Sequence, residues 1–334
     1  TFLYAGMVLQ RDHTTGMASL LHSTPIPTWV LLGSKLLAIS VMQIILLSTV
    51  MVLGMAIQTY QGYYHFEISL YLTQLFGIQF IHLFIWSLLA LFIHTLFKNY
   101  FVGFFILLLV SIGLSFSSQF GLEQMIFKFN QAPATPYSDM NGYGHYLSGY
   151  FGYKIYWLAL ALSLYMIALW LFPRGSYPSW KERWQIAKQR SNSANVSIVA
   201  GLLVFFFSMG SYIYYVDNIK YERQSSKEQE ASAAEWEKTY GKYRSIPQPR
   251  ITASYIEMDL YPETRDLVVR GNYTLKNKTS VTLDSIHIDH GNLKTDFRFN
   301  RGFERVLEDS VFNYDIFTVY PPLEPGDSIR FEFE

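Results

Sequence analysis

The 334-residue sequence contains no cysteine. It therefore forms no disulfide bond, no thiolate metal site and no cysteine nucleophile. Three catalytic signatures are missing as well: the Gly-x-x-x-x-Gly-Lys-Ser/Thr phosphate loop, the His-Glu-x-x-His zinc pair and the Gly-x-Ser-x-Gly nucleophile elbow. We therefore predict no ATP hydrolysis by a phosphate loop, and we assign the chain no catalytic, cofactor-binding or metal-binding residue.

Charge is missing from five long apolar stretches, none of which contains Asp, Glu, Lys or Arg. These stretches are residues 36–57, 76–97, 101–120, 155–172 and 196–216. At a rise of about 1.5 Å per residue, a helix formed by the 21 residues of the last stretch crosses a hydrocarbon core of about 30 Å. A buried core helix is the alternative, but core helices are usually shorter and carry a polar face. The sequence predicts a multi-pass α-helical membrane protein with five spans.

The net charge of zero is the sum of two unlike halves. Residues 1–216 carry 10 Lys and Arg against 5 Asp and Glu, whereas residues 217–334 carry 16 against 21. The first half is basic and apolar, and the second is acidic and reads as water-soluble protein. The length allows two units of domain size.

Basic residues in short loops predict the orientation in the membrane. The linker 173–195 contains five Lys and Arg against Glu182 alone, which places it in the cytoplasm. Beside a membrane span, such a basic run indicates topology or contacts with anionic lipid rather than nucleic acid. Alternation across the spans assigns 1–35 and Lys98 to the inside and 58–67, 121–154 and 217–334 to the outside. We expect a protein of the cytoplasmic (inner) membrane.

Residues 1–35 mix polar and apolar character. A short helix is predicted, with Thr14 or Thr15 as its cap and Pro25 and Pro27 at its end. Three apolar residues of this helix fall at i, i+3 and i+4 on one face: Met17, Leu20 and Leu21. Such a segment lies flat at a membrane surface or packs on a partner; a linker without a partner is the alternative.

Two features of the membrane half leave alternatives open. The outer loop 121–154 contains five tyrosines among Pro and Gly residues, which indicates headgroup anchors or a lid that faces a substrate. His82 and His94 lie near the ends of the second span. A neutral imidazole is tolerable there, and a proton or metal function is the alternative.

Residues 217–245 are charged and rich in helix formers, and they predict an exposed helical stalk. Disorder of the Ser-rich start is the alternative. Aromatic residues of the stalk fall at i, i+4 and i+7: Trp236, Tyr240 and Tyr243.

Residues 250–334 predict antiparallel β-structure with one buried and one wet face. Apolar residues alternate with charged ones around Met258 and again around Phe331, and Gly271 is a predicted bulge. His287 and His290 are three apart, so a strand would direct them to opposite faces and we expect structural polar residues rather than zinc ligands. Because Thr1 follows no basic leader and Glu334 ends inside an alternating run, we expect a fragment with an incomplete β-domain.

The first of two family resemblances covers about residues 3–172. The tract LYAGMVLQRDHTTGMASLLHSTPIPTWVLLGSKLLA resembles the cytoplasmic segment of exporter-type ABC transporter permeases, and TPYSDMNGYGHY resembles their outer loop. The resemblance implies two earlier spans, ATP bound by a separate ABC ATPase subunit, and a contact region for that subunit. The implied contact residues are Arg11, Asp12, Gly16, Leu20, Leu21, Thr24, Pro25 and Lys35.

The second resemblance covers about residues 246–334. The tract IPQPRITASYIEMDLYPETRDLVVRGNYTLKNKT resembles the opening β-domain of zinc aminopeptidases of the aminopeptidase N type. The zinc-binding histidines and glutamate of that family and its Gly-x-Met-Glu-Asn strip are absent from this sequence. Zinc is therefore implied only if a catalytic domain follows.

Together these observations predict six segments: a cytoplasmic coupling segment (1–35), a permease-like membrane domain (36–172), a basic linker (173–195), a final span (196–216), a stalk (217–245) and an extracytoplasmic β-sandwich or saddle (246–334). We expect the permease part of an ABC-type exporter, with membrane lipids, an ATPase subunit and an unknown transported substrate or peptide as partners. A membrane-anchored aminopeptidase and a membrane-anchored binding module are the alternatives. A mere anchor needs only one span.

Overall fold

The computed structural model describes residues 1–174, 179–221, 223–261, 264, 266–291 and 295–334. Part of the predicted linker, 175–178, lies outside the described residues. The chain divides into two compact units, Thr1–Gln224 and Ser225–Glu334. The first unit is helical, and the second consists of one helix followed by strands.

Ten α-helices are described along the chain, nine of them in the first unit. These nine are α1 (Phe2–Thr14), α2 (Ala18–Ser23), α3 (Thr28–Tyr60), α4 (Ile68–Tyr71), α5 (Phe80–Leu96), α6 (Tyr100–Phe116), α7 (Tyr146–Leu171), α8 (Trp180–Arg190) and α9 (Ser193–Tyr215). A π-helical segment, Leu72–Gln79, joins α4 to α5, and a second one, Val216–Lys220, extends α9. Short 3-10 turns lie at Ser117–Phe120 and Met125–Phe127.

Five helical stretches of the described residues are long and apolar enough to cross a membrane, as predicted. They are Thr28–Tyr60, Ile68–Leu96, Tyr100–Phe120, Tyr146–Leu171 and Ser193–Lys220. Large apolar side chains cover their outer surfaces; Leu37, Leu109 and Phe207 are each at least 65% exposed. Extensive exposed apolar surface of this kind is typical of a membrane-facing protein.

The helix that contains the fourth predicted span is longer than the uncharged stretch 155–172. α7 begins at Tyr146, nine residues before the predicted start at Ile155, and it includes Lys154. The prediction stopped at Lys154 because a span was expected to lack charge. The lysine is accommodated inside the helix because its ammonium group finds hydrogen-bond acceptors in the protein.

The predicted inner segments lie together at one end of the helical unit. The Gln10 amide donates to the carbonyl of Lys98 over 2.7 Å, and the Arg174 guanidinium donates to the carbonyl of Ile26. At the opposite end, Gln124 donates to Asn218 over 2.7 Å. The loops therefore alternate between the two ends as the five spans require.

The amino-terminal segment contains a helix before the predicted one, and the predicted caps prove wrong. α1 packs against α3, α5 and α6, and Ala5 and Leu9 are buried. The Thr14 and Thr15 hydroxyls do not cap α2; both donate to the carbonyl of Arg11 at the end of α1. The left-handed turn at Gly16 (φ +73°) ends that helix, so the Thr-Thr-Gly run marks a helix end and not a start.

The second unit begins with α10 (Ser226–Tyr240) and a 3-10 turn at Gly241–Tyr243. Its strands are β1 (Arg250–Tyr261), β2 (Asp266–Lys276), β3 (Leu283–Asp289), β4 (Phe297–Phe299), β5 (Gly302–Asp309), β6 (Tyr314–Leu323) and β7 (Ser328–Phe333). All described pairs are antiparallel, in one sheet of order β1-β2-β7-β4 and another of order β3-β6-β5. Both sheets contribute to one apolar core, in which Phe299 of β4 contacts Phe317 of β6.

Two predictions for the β region are wrong. β1 is the predicted strand, but it is exposed along its whole length because it lies at a sheet edge and pairs only with β2. Gly271 is not a bulge; it pairs in register with Ile256. A Cβ atom at Gly271 would lie 2.6 Å from the Tyr255 carbonyl oxygen, so close approach of the backbone requires the glycine. The buried-face prediction is confirmed for Ile329 and Phe331 of β7.

The stalk prediction is correct for most of α10 and wrong at its end. A capping box of Ser225 and Glu228 starts the helix, and residues 226–239 are exposed. Tyr240 is only 5% exposed, and its ring centroid lies 4.4 Å from that of Tyr314. Its hydroxyl donates to Asp309. The last turn of α10 is therefore held against β5 and β6.

We predict that Tyr240→Phe loosens this attachment at neutral pH. The hydrogen bond from the Tyr240 hydroxyl is the main cause that lowers the pKa of Asp309. Because folding lowers the pKa of this carboxyl group, the group stabilises the fold at pH values above its ordinary pKa. This stabilisation is lost as the pH falls through the folded-state pKa. Hydrogen exchange of α10 should therefore be faster in the variant at pH 7, and the difference should shrink under acid.

Tyr255→Phe is the matched control for this prediction. The Tyr255 hydroxyl also binds a carboxylate, that of Glu257, but on the exposed strand β1. Its removal should leave exchange of α10 unchanged. Equal exchange in the wild type and the Tyr240→Phe variant at pH 7 would contradict the prediction.

Candidate functional site

The proposed contact residues occupy the end of α1, the short helix α2 and the beginning of α3. Most of them are accessible: Arg11, Gly16, Leu20, Thr24 and Pro25 are exposed, and Leu21 is half-buried. The Leu20 side chain is 62% exposed and the neighbouring Met17 46%. α2 therefore presents an apolar surface at the end of the helical unit where the predicted inner loops meet.

Two of the predicted contact residues bind each other instead of facing outward. The Lys35 ammonium lies 2.8 Å from an Asp12 carboxylate oxygen, and the two side chains are 15% and 13% exposed. This ion pair joins the end of α1 to the second turn of α3. Asp12 and Lys35 thus hold the two helices around α2 in place, while Arg11 and Leu20 remain available for contacts.

A buried polar cluster that the sequence did not reveal lies between α5, α7 and the loop 121–145. Lys154 is 3% exposed. Its ammonium group donates to the carbonyl oxygen of Asn130 (2.7 Å), to the Oδ1 atom of Asn130 (2.8 Å) and to Nδ1 of His82 (3.0 Å). An ammonium group has three protons, so these three acceptors satisfy it.

Asn130 is as buried as the lysine that it binds, and it forms a further hydrogen bond. The residue is fully buried and has a left-handed backbone (φ 60°), which asparagine tolerates better than most residues. Its Nδ2 atom donates to the backbone carbonyl of His82 over 2.8 Å. One asparagine thus joins the loop 121–145 to both α5 and α7.

The two membrane histidines have structural partners. Nδ1 of His82 accepts a hydrogen bond from the Lys154 ammonium group, which requires a neutral ring. Nε2 of His94 lies 2.9 Å from the carbonyl oxygen of Phe2. A Cβ atom at Gly6 or Gly103 would lie within 2.5 Å of the His94 ring, so the imidazole is enclosed where α1, α5 and α6 meet.

Metal binding finds no support among the described residues, where no group of three or more His, Asp or Glu side chains converges. In the second unit, Nδ1 of His287 lies 2.8 Å from the Tyr314 hydroxyl, and Nε2 of His290 lies 3.7 Å from Asp315. Burial lowers the pKa of His287. These contacts agree with the predicted structural function of both histidines.

The tyrosines of the outer region form specific hydrogen bonds. The Tyr143 hydroxyl donates to Gln74, that of Tyr150 to the carbonyl of Ile78, and that of Tyr153 to Asp217. All three tyrosines are less than 10% exposed. Gln74 and Ile78 lie in the π-helical segment. Tyr143 therefore joins the loop to the π-helical segment, and Tyr150 and Tyr153 join α7 to other helical segments, whereas Tyr137 and Tyr146 remain exposed.

Comparison with family models, with curated proteins and with solved structures finds no match for this chain. Its function must therefore be argued from the arrangement itself. The accessible candidate site is the surface formed by Arg11 and α2, and the buried cluster around Lys154 holds the opposite end of the unit together.

We predict that Lys154→Met releases the loop 121–145 from the helices. The variant keeps the length of the side chain but leaves the buried acceptors of Asn130 and His82 without their donor. Leaving a buried acceptor without its donor costs about 1–3 kcal/mol. Amide hydrogen exchange in the loop should rise strongly.

Lys128→Met is the control, because its ammonium group binds the Ser118 hydroxyl at the surface of the same loop over 2.7 Å. Exchange in that variant should stay close to that of the wild type. If both variants exchange alike, the cluster does not hold the loop.

Proposed function

We propose that this chain is the permease part of an ABC-type exporter. The observation that carries the proposal is the exposed apolar surface of α2, held between two helices that are anchored in an apolar bundle. ATP-driven closure of a separate subunit must push on a rigid element to move membrane helices. α2 meets this requirement because α1 is packed in the bundle and the Asp12–Lys35 ion pair joins α1 to α3.

The proposed topology places α2 in the cytoplasm and the second unit outside the cytoplasmic membrane. Support comes from the basic linker 173–195, which lies at the same end of the helical unit as Ile26 and Lys98. With five spans, the polypeptide after Lys220 emerges at the opposite end.

For the second unit we propose a β-sandwich similar to the front domain of zinc aminopeptidases. We assign it no catalytic residue and no zinc ligand. A second candidate function, as a binding module, is favoured by the exposed edge strand β1. Its side chains Ile256, Met258 and Leu260 are 48 to 65% exposed, and an unpaired edge of this kind is suited to contact with another domain.

Substitution at α2 tests the docking of an ATPase subunit. We predict that Leu20→Glu and Arg11→Glu each lower co-purification of a nucleotide-binding subunit and its ATPase activity with the full chain, roughly tenfold for a lost contact of about 1.4 kcal/mol. Leu122→Glu is the control, since Leu122 is 48% exposed in the outer region. Undiminished association in both the Leu20→Glu and the Arg11→Glu variant would refute the docking surface.

The absence of cysteine gives a direct test of the topology. We predict that Ser254→Cys, on the exposed strand β1, reacts with an impermeant thiol reagent in intact spheroplasts. Ser193→Cys, at the exposed start of α9, should react only after lysis. The reverse pattern would invert the proposed orientation.

A further inference from the structure

An apolar groove opens where α7, α8 and α9 meet. Its volume is about 640 Å³, within the range of small-molecule sites. One wall is formed by Trp170 of α7, the opposite wall by Val196, Ala200 and Leu203 of α9, and the rim by Trp184 of α8. Along α9 the groove extends from Val196 to Leu203, which is about 10 Å along the span.

The basic residues of α8 are used in two different ways. Arg183 donates to the carbonyls of Thr95 and Leu96 at the end of α5, and Arg190 donates to those of Trp170 and Phe172 at the end of α7. Both guanidinium groups therefore satisfy helix ends, and they fix α8 across the bundle.

Lys188 differs from these arginines. It is exposed and lines the groove, and no ion pair joins it to a described carboxylate. The one carboxylate of α8, Glu182, is held at the start of the helix by the backbone of Ser179. The mouth of the groove therefore has an excess positive charge.

We propose that this groove binds one acyl chain of an anionic phospholipid, with the lipid phosphate at Lys188. The walls of the groove are apolar where it follows the spans, and Lys188 and Ser191 lie where the spans end. This arrangement matches a phospholipid, which has an apolar chain and a polar headgroup. Trp184 is 71% exposed, and tryptophan is enriched at the level of the headgroups. The assignment depends on the membrane placement proposed above but not on export.

Native mass spectrometry of the full chain in non-ionic detergent tests the site. Added phosphatidylglycerol should bind as one retained copy, about fivefold more tightly than phosphatidylcholine, because one lysine near a membrane contributes on the order of 1 kcal/mol. Lys188→Gln should remove this preference. Glycerol phosphate, which has no acyl chain, should not compete.

Two further variants separate a specific groove from general lipid contact. Lys181→Gln, on the same helix but outside the groove lining, should keep the preference. Ala200→Trp should fill the groove and abolish retention of both lipids, and since Ala200 is exposed, the substitution leaves the core intact. Unaltered retention in Ala200→Trp, an equal loss in both lysine variants, or a change of oligomeric state in place of lipid loss would overturn the proposal.

Discussion

The polar groups of this apolar bundle must find their hydrogen-bond partners within the protein, and this constraint determines its construction. Lys154 illustrates it most clearly, since its three donors meet three acceptors from Asn130 and His82. No described carboxylate pairs with this lysine. Dipoles alone offset the charge, so the loop that supplies them cannot move away without leaving a buried charge unsatisfied. The cluster thus holds the loop 121–145 against the two spans that contain His82 and Lys154.

The same constraint shapes the other end of the unit. The final carbonyls of helices α5 and α7 have no further helical turn to donate N–H groups to them, and Arg183 and Arg190 of α8 supply the missing donors. The Asp12–Lys35 ion pair adds a connection between α1 and α3. Side chains therefore couple α8, and the helices on either side of α2, to the spans. That coupling is the mechanical property that a docking surface for a motor subunit requires.

The sequence predicted the parts of this fold that depend on composition alone. Long uncharged stretches identified the spans, and alternation identified the strands. A span is expected to lack charge, so the prediction puts Lys154 outside the fourth span; its acceptor Asn130 lies 24 residues away in sequence, and nothing local indicates that contact. A threonine can serve either end of a helix, so the sequence predicts Thr14 or Thr15 as a cap of α2, whereas the turn at Gly16 shows that they end α1. The exposure of β1 depends on its position at the edge of the sheet, and the alternation of apolar and charged residues along the strand does not reveal that position.

The basic linker has two physical functions that reinforce each other. The carbonyl ends of α5 and α7 carry partial negative charge, and the arginines that orient a membrane protein by the positive-inside rule also satisfy those ends here. Arg174, Arg183 and Arg190 all donate to backbone carbonyls at the same end of the unit. In the proposed orientation, the positive-inside rule and helix termination favour the same residues at the same places. Lys188 makes no such bond to a described helix end, and it lines the apolar groove between α7, α8 and α9 instead.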